Sequence, residues 1–149
     1  MTAAVVIGLG NAFRRDDGVG PAVAAAVDEL QLPGVRVVCA ADMTAILDAW
    51  DGVALAVVVD AAAGGPPGRV TQCAPDDVEG HSLASSHELT LPHTYELARA
   101  LGRAPRRIAV VSIDVADTGY GQGLSPAVAQ AVRYATALVV AELTRETDR

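Results

Sequence analysis

Cysteine is scarce in this chain: Cys39 and Cys73 stand alone, in unrelated contexts and without a CxxC pair. That pattern predicts two reduced, packed thiols in a cytoplasmic protein rather than a single bridge. Aromatic residues are scarce too, at 3% of a chain that is 51% apolar, so Val, Ala and Leu must fill its core. Basic charge is in deficit. Eleven Lys and Arg against 18 Asp and Glu give a formal charge of −7, the wrong sign for the footprint of a nucleic-acid binder. No apolar run reaches the roughly 20 residues that cross a bilayer. Residues 53–59 are apolar throughout, but Asp60 ends them, so no membrane insertion is expected. The first apolar run has no basic region before it, and no signal peptide is expected. Familiar catalytic designs are missing as well. There is no GxxxxGK[ST] loop, no GxSxG elbow, no HExxH pair and no His close to either Cys, which argues against P-loop, nucleophile-elbow and common zinc-protease chemistry.

What is present alternates between strand and helix patterns. Residues 3–9 read as a strand and 19–31 as a helix, with Pro21 in its first turn where a missing N–H costs little. Pro33-Gly34 breaks the chain before the strand Val35–Ala40, and a short helix follows over Thr44–Trp50. The strand 53–59 is apolar at every position, as expected for burial on both faces of a parallel sheet. Arg69–Cys73 reads as a short edge strand and 75–90 as an irregular loop. Leu91–Leu101 has helical spacing, 107–113 is another buried strand, and a last helix runs from about Ser125, an N-cap ahead of Pro126, to about Arg145. No repeat or linker divides the chain, so residues 1–149 read as one domain. The order predicts an α/β protein: a three-layer α/β/α sandwich around a mostly parallel twisted sheet of about five strands.

Ligands of such sheets bind outside the carboxyl ends of the strands, which directs attention to the polar residues there. Asp16-Asp17 follows the first strand, Asp60 closes the third, Asp114 ends the last, and His87 precedes a helix. Two carboxylates and an imidazole on one rim would hold a divalent metal. Each has a plainer reading. Asp16 is as well read as a cap of the following helix, a reading weaker for Asp17 because one cap suffices. Asp60 is followed by Ala61-Ala62-Ala63, so its carboxylate should be only partly solvated. His81 falls in a polar loop and His93 within a helix, which leaves His87 best placed to turn toward the rim. Asp114 is equally a loop carboxylate. Asn11 is expected to hydrogen-bond the turn backbone. Gly8-x-Gly10 invites a dinucleotide reading, but Phe13 stands where the third glycine belongs, so a tight turn is preferred. The loop Gly119–Gly123 is a candidate lid or substrate-facing edge.

With these residues in view, the chain resembles the hydrogenase maturation endopeptidases. The resemblance rests on Gly8-x-Gly10-Asn11 with Asp16-Asp17-Gly18-x-Gly20, then Val59-Asp60-Ala61, Ser86-His87-Glu88-Leu89 and Gly123-Leu124-Ser125-Pro126, in that order along the chain. It implies a cytoplasmic peptidase that removes the C-terminal extension of a nickel-loaded [NiFe] hydrogenase large-subunit precursor, its partner. It implies Asp17, Asp60 and His87 as the metal-contacting, catalytic trio, with Asp17 one methylene shorter than the Glu of many members. The nickel is then presented by the substrate, with no tightly bound cofactor of the protein's own. Where the family commonly has an acidic residue followed by Gly-Gly-Thr, a loop associated with substrate recognition, this chain has Asp42-Met43-Thr44. Asp42 and Thr44, with Asn11, are the expected substrate-contacting residues. Two other readings stay open: a metal-dependent hydrolase of small amides, and a chaperone that senses nickel without cleaving.

Overall fold

The computed structural model describes residues 4–74, 81–82 and 91–147. In chain order these form β1 (Ala4–Leu9), a 3-10 turn (Arg15–Gly18), α1 (Val19–Glu29), β2 (Val35–Ala40), α2 (Met43–Trp50), β3 (Leu55–Ala63), β4 (Val70–Cys73), β5 (His81–Ser82), α3 (Leu91–Ala100), β6 (Arg107–Asp114) and α4 (Pro126–Thr147). The sheet runs β2-β1-β3-β6-β4, and the two-residue β5 pairs with β3. Neighbours among β2, β1, β3 and β6 are parallel, whereas β4 lies antiparallel to β6 and β5 antiparallel to β3. The expected three-layer, mostly parallel architecture is what the chain adopts.

Alternation along the central strands sends side chains into two cores. Val6, Val57, Val59, Val111 and Ile113 meet Val19, Val23 and Val27 of α1 and Val128, Ala135 and Val139 of α4. Val5, Ile7, Ala56, Val58 and Val110 meet Met43, Ile46 and Trp50 of α2 and Leu91 and Ala98 of α3. Both layers are filled almost wholly by aliphatic side chains. Trp50, fully buried, meets Tyr95 edge-on with 6.3 Å between ring centroids.

Two glycines bring α1 onto the sheet. A Cβ on Gly8 would lie 2.5 Å from the Gly20 carbonyl oxygen, and one on Gly20 would lie 2.5 Å from the Leu9 oxygen and 2.6 Å from that of Val59. Helix backbone therefore rests directly on strand backbone. Gly8 serves helix–strand contact, a different task from the tight turn expected of it. The turn falls to Gly10, at φ 144°.

Several boundaries differ from the sequence reading. β3 continues through Asp60 to Ala63 because β6 pairs beside it as far as Ala62↔Asp114. Asp60 thus lies inside a strand rather than at its end. β5 occupies what reads as loop, being too short for periodicity to reveal. Asp16 and Asp17 occupy the 3-10 turn; the N-cap of α1 is Gly18, without a side-chain cap. Neither cysteine is in a disulfide, but Cys39 is exposed on edge strand β2 rather than packed. Gly20→Ala should force α1 off the sheet and cost about 2–3 kcal/mol, read as a lower denaturant midpoint with little change in slope.

Candidate active site at the strand rim

The four parallel strands end on one rim. From β1 the chain goes to β2 over one face and returns to β3 over the other, so the order β2-β1-β3 makes the crevice between β1 and β3 a topological switch point. Asp17 issues from the first of these strands and Asp60 from the second. Gly8 is in register with Val59, which puts Asp60 one residue further along. The 3-10 turn packs against β3, and Gly20 sits on the Val59 carbonyl. Asp60, only 3% exposed, alternates with Ala56 and Val58 and so belongs to the face covered by α2 and α3.

Adjacent carboxylates in the 3-10 turn do different work. Asp16 is fully buried. One oxygen accepts from the Ala116 and Asp117 amides, both at 3.0 Å, and from the Ser125 hydroxyl at 2.8 Å; the other accepts from the Ser125 amide at 2.6 Å. Burial alone would raise this carboxyl, but the donors from Asp117, Ser125 and Ala116 outweigh it and hold Asp16 below its ordinary range. Asp17 is 8% exposed. Its Oδ2 accepts from the Asn11 amide at 3.1 Å, while its Oδ1 is buried with no hydrogen-bond partner among the described residues. Burial pushes Asp17 up, against the Asn11 amide and the nearby Arg14 charge. A buried carboxylate oxygen left without a donor is a group that a cation would satisfy.

Asn11 makes the local bond expected of it: its Oδ1 accepts from the Phe13 amide at 2.9 Å. Its own amide is what holds Asp17. At the end of β2, Asp42 caps α2, accepting from the Thr44 hydroxyl at 2.6 Å and from the Thr44 and Ala45 amides. Those donors keep its carboxyl below the usual range. Asp114 pairs with Arg69, Nε to Oδ2 at 2.7 Å, and backbone bonds tie it to Gly68 and Arg69. It braces β6 against the turn before β4. His87 lies outside the described residues. Among those described, no three His, Cys, Asp or Glu side chains form a metal-holding group.

The glycine loop is stitched to the loop after β1, an arrangement unlike a free lid. The Gly121 amide donates to Phe13 O at 2.9 Å, Arg15 N to Gly121 O at 3.1 Å, and Asp16 N to Asp117 O at 2.9 Å. Arg15 takes φ 49°, the left-handed region that costs a non-glycine residue some strain. The clamp on Asp16 is the feature that sequence reasoning missed. Its trace was Ser125 in Gly123-Leu124-Ser125-Pro126, read there as a helix cap.

The family model for HycI, hydrogenase maturation protease, matches residues 40–142, well over half of the chain. The chain belongs to the hydrogenase maturation protease family. Solved structures agree in fold. The hydrogenase maturating endopeptidase HybD from E. coli is 21% identical, with 96% of this chain and 93% of that one aligned at a TM-score of 0.80. The [NiFe] hydrogenase maturation protease HybD from Thermococcus kodakarensis is 23% identical, with 92% and 96% covered at 0.74. HycI from Thermococcus kodakarensis KOD1 is 25% identical, with 93% and 90% covered at 0.70. No curated protein matches the sequence. The matched stretch of the family model includes Asp60 and His87 but begins after the Asp17 loop.

The two carboxylates of this family member should respond oppositely to substitution. Asp16→Ala leaves four donors unanswered and should cost about 3 kcal/mol. Asp16 titrates lower folded than unfolded, so its contribution is complete above about pH 3.9 and is lost as pH falls through the folded value. Denaturation midpoints of wild type and Asp16→Asn should therefore differ at pH 7 and converge in acid. Asp17 titrates higher folded than unfolded, so its ionisation opposes folding above the ordinary carboxylate range. Metal-free Asp17→Asn should be at least as stable as wild type at pH 7 and lose that advantage below about pH 3.9.

Proposed function

We propose that this chain is the endopeptidase that removes the C-terminal extension of a nickel-loaded [NiFe] hydrogenase large-subunit precursor in the cytoplasm. Family membership supports the reaction class. The observation that carries the residue assignment is the buried Oδ1 of Asp17, without a hydrogen-bond partner among the described residues, beside the strand that bears Asp60. Asp17, Asp60 and His87 engage the nickel that the precursor brings. Two carboxylates and one imidazole leave coordination positions open, unlike a closed four-ligand structural site. Held there, the nickel would supply Lewis-acid polarisation of the scissile carbonyl or of the attacking water. Hydrolysis breaks the peptide C–N bond, adds the water's hydroxyl to the carbonyl carbon and delivers its proton to the departing amine.

The chain's own residues aim this chemistry. The Asn11 amide fixes one oxygen of Asp17 so that the other is presented. Burial of both Asp17 and Asp60 keeps water from competing for their charge. Asp42 and Thr44, at the end of β2 on the same rim, contact the precursor together with Asn11. Their mutual capping makes this a stiffer element than a Gly-Gly loop, so the precursor accepted differs from that of relatives with the flexible version.

Mixing the protein with its nickel-loaded precursor should release a C-terminal peptide, seen by intact mass. Asp17→Ala, Asp60→Ala and His87→Ala should each slow release by about a hundredfold or more. Equally fast cleavage of nickel-free precursor would overturn the substrate-metal reading. Stoichiometric metal in the protein purified alone would point to a resident ion instead.

A further inference from the structure

Few aromatic side chains exist in this chain: one Trp, three Tyr and one Phe. Two of the five lie exposed on one stretch of the rim, Phe13 at 65% and Tyr120 at 89%. They belong to the two loops that the Gly121–Phe13 backbone bond joins, and Asp17 lies on the first of these. Arg14 is held between them, its Nε donating to Thr118 O at 3.2 Å and its guanidinium 5.8 Å from the Tyr120 ring centroid. A carbonyl and a ring orient this cation, whose charge reaches Asp17 but which forms no ion pair among the described residues. Arg15 beside it is answered by Asp117 at 3.7 Å.

We propose that Phe13, Arg14 and Tyr120 are the seat for a segment of the precursor that carries an apolar side chain beside an acidic one, adjoining its cleavage site. This rests on the function proposed above. Exposed aromatics with a pre-oriented Arg are the composition of an interface anchor. An aromatic-poor chain that leaves these two outside both cores has no packing use for them. The charge argues for the acidic partner. A protein of −7 repels acidic segments over most of its surface, and Arg14 offers a local attraction that steers one to this rim. Continuity argues for the precursor. Asp17 is three residues from Arg14 on the same loop, so a chain whose scissile bond reaches Asp17 passes this patch.

The test is affinity for the nickel-loaded precursor, measured by calorimetry, with cleavage followed separately by intact mass. Phe13→Ala and Tyr120→Ala should each weaken binding about tenfold and raise KM in parallel, with kcat nearly unchanged. Arg14→Glu should weaken binding more than Arg14→Gln, and both should lower its salt sensitivity. Tyr134→Ala, which truncates an aromatic 60% exposed on α4, is the control that should change neither. All of these side chains are exposed, so the variants should fold. Precursor affinity unchanged in the Phe13 and Tyr120 variants would overturn the seat while leaving the peptidase reading intact. Variant-sensitive binding without any cleavage would support the seat and count against the peptidase reading. If Tyr120→Ala instead abolished self-association and left precursor affinity alone, a second copy would be the occupant and the seat would be overturned.

Discussion

The rim of this protein depends on one buried carboxylate. Asp16 gathers three main-chain amides and a hydroxyl from the segment between β6 and α4, and so fixes the loop after β1 to the opposite side of the crevice. The bonds are strong enough to reverse the effect of burial on its ionisation, so the anchor stays charged wherever the protein is folded near neutral pH. With Asp16 committed inward, the backbone leaves its neighbour facing another way. Among the described residues, Asp17 receives a single amide and keeps a buried oxygen without a donor. Two adjacent residues of the same type thus sit in opposite electrostatic settings, Asp16 held low by its donors and Asp17 pushed up by burial.

The second constraint is steric. Gly8 and Gly20 let α1 lie backbone to backbone on β1 and β3, which draws the 3-10 turn over the end of the crevice. Since the chain leaves β1 over one face and arrives at β3 over the other, the 3-10 turn that bears Asp17 and the strand that bears Asp60 flank the switch point. The rim is the edge that any sheet of this winding leaves open, and two buried acids, Asp17 and Asp60, stand beside it.

Much of the fold was legible in the chain. Unbroken apolar runs such as 53–59 could only be strands buried on both faces, and Pro21, Gly34 and Pro126 marked helix and loop boundaries by removing donors or permitting turns. The errors share a cause. β3 outran its apolar stretch because pairing with β6 continued past Asp60, and a ladder depends on its neighbour as much as on its own side chains. β5, at two residues, exists only through its partner. Cys39 is exposed because β2 proved to be an edge, a fact of strand order that composition does not contain. Asp17 and Asp60 stood out because a charge beside a buried strand demands explanation, whereas the approach of Arg14 to Tyr120 exists only where the two loops meet.

By itself, then, the sequence determined the layered α/β architecture, the rim on which polar residues gather, and the order of motifs that marks the family. Those are consequences of periodicity and local chemistry, which a linear chain carries with it. Only the tertiary structure separated the structural parts of Asp16 and Asp17. In one dimension they are adjacent carboxylates, with the cap reading merely weaker for Asp17. In three, the donors that distinguish them come from Ala116, Asp117 and Ser125, about a hundred positions away, and the carboxylate that meets those donors becomes the anchor while the other keeps a buried oxygen without a partner among the described residues.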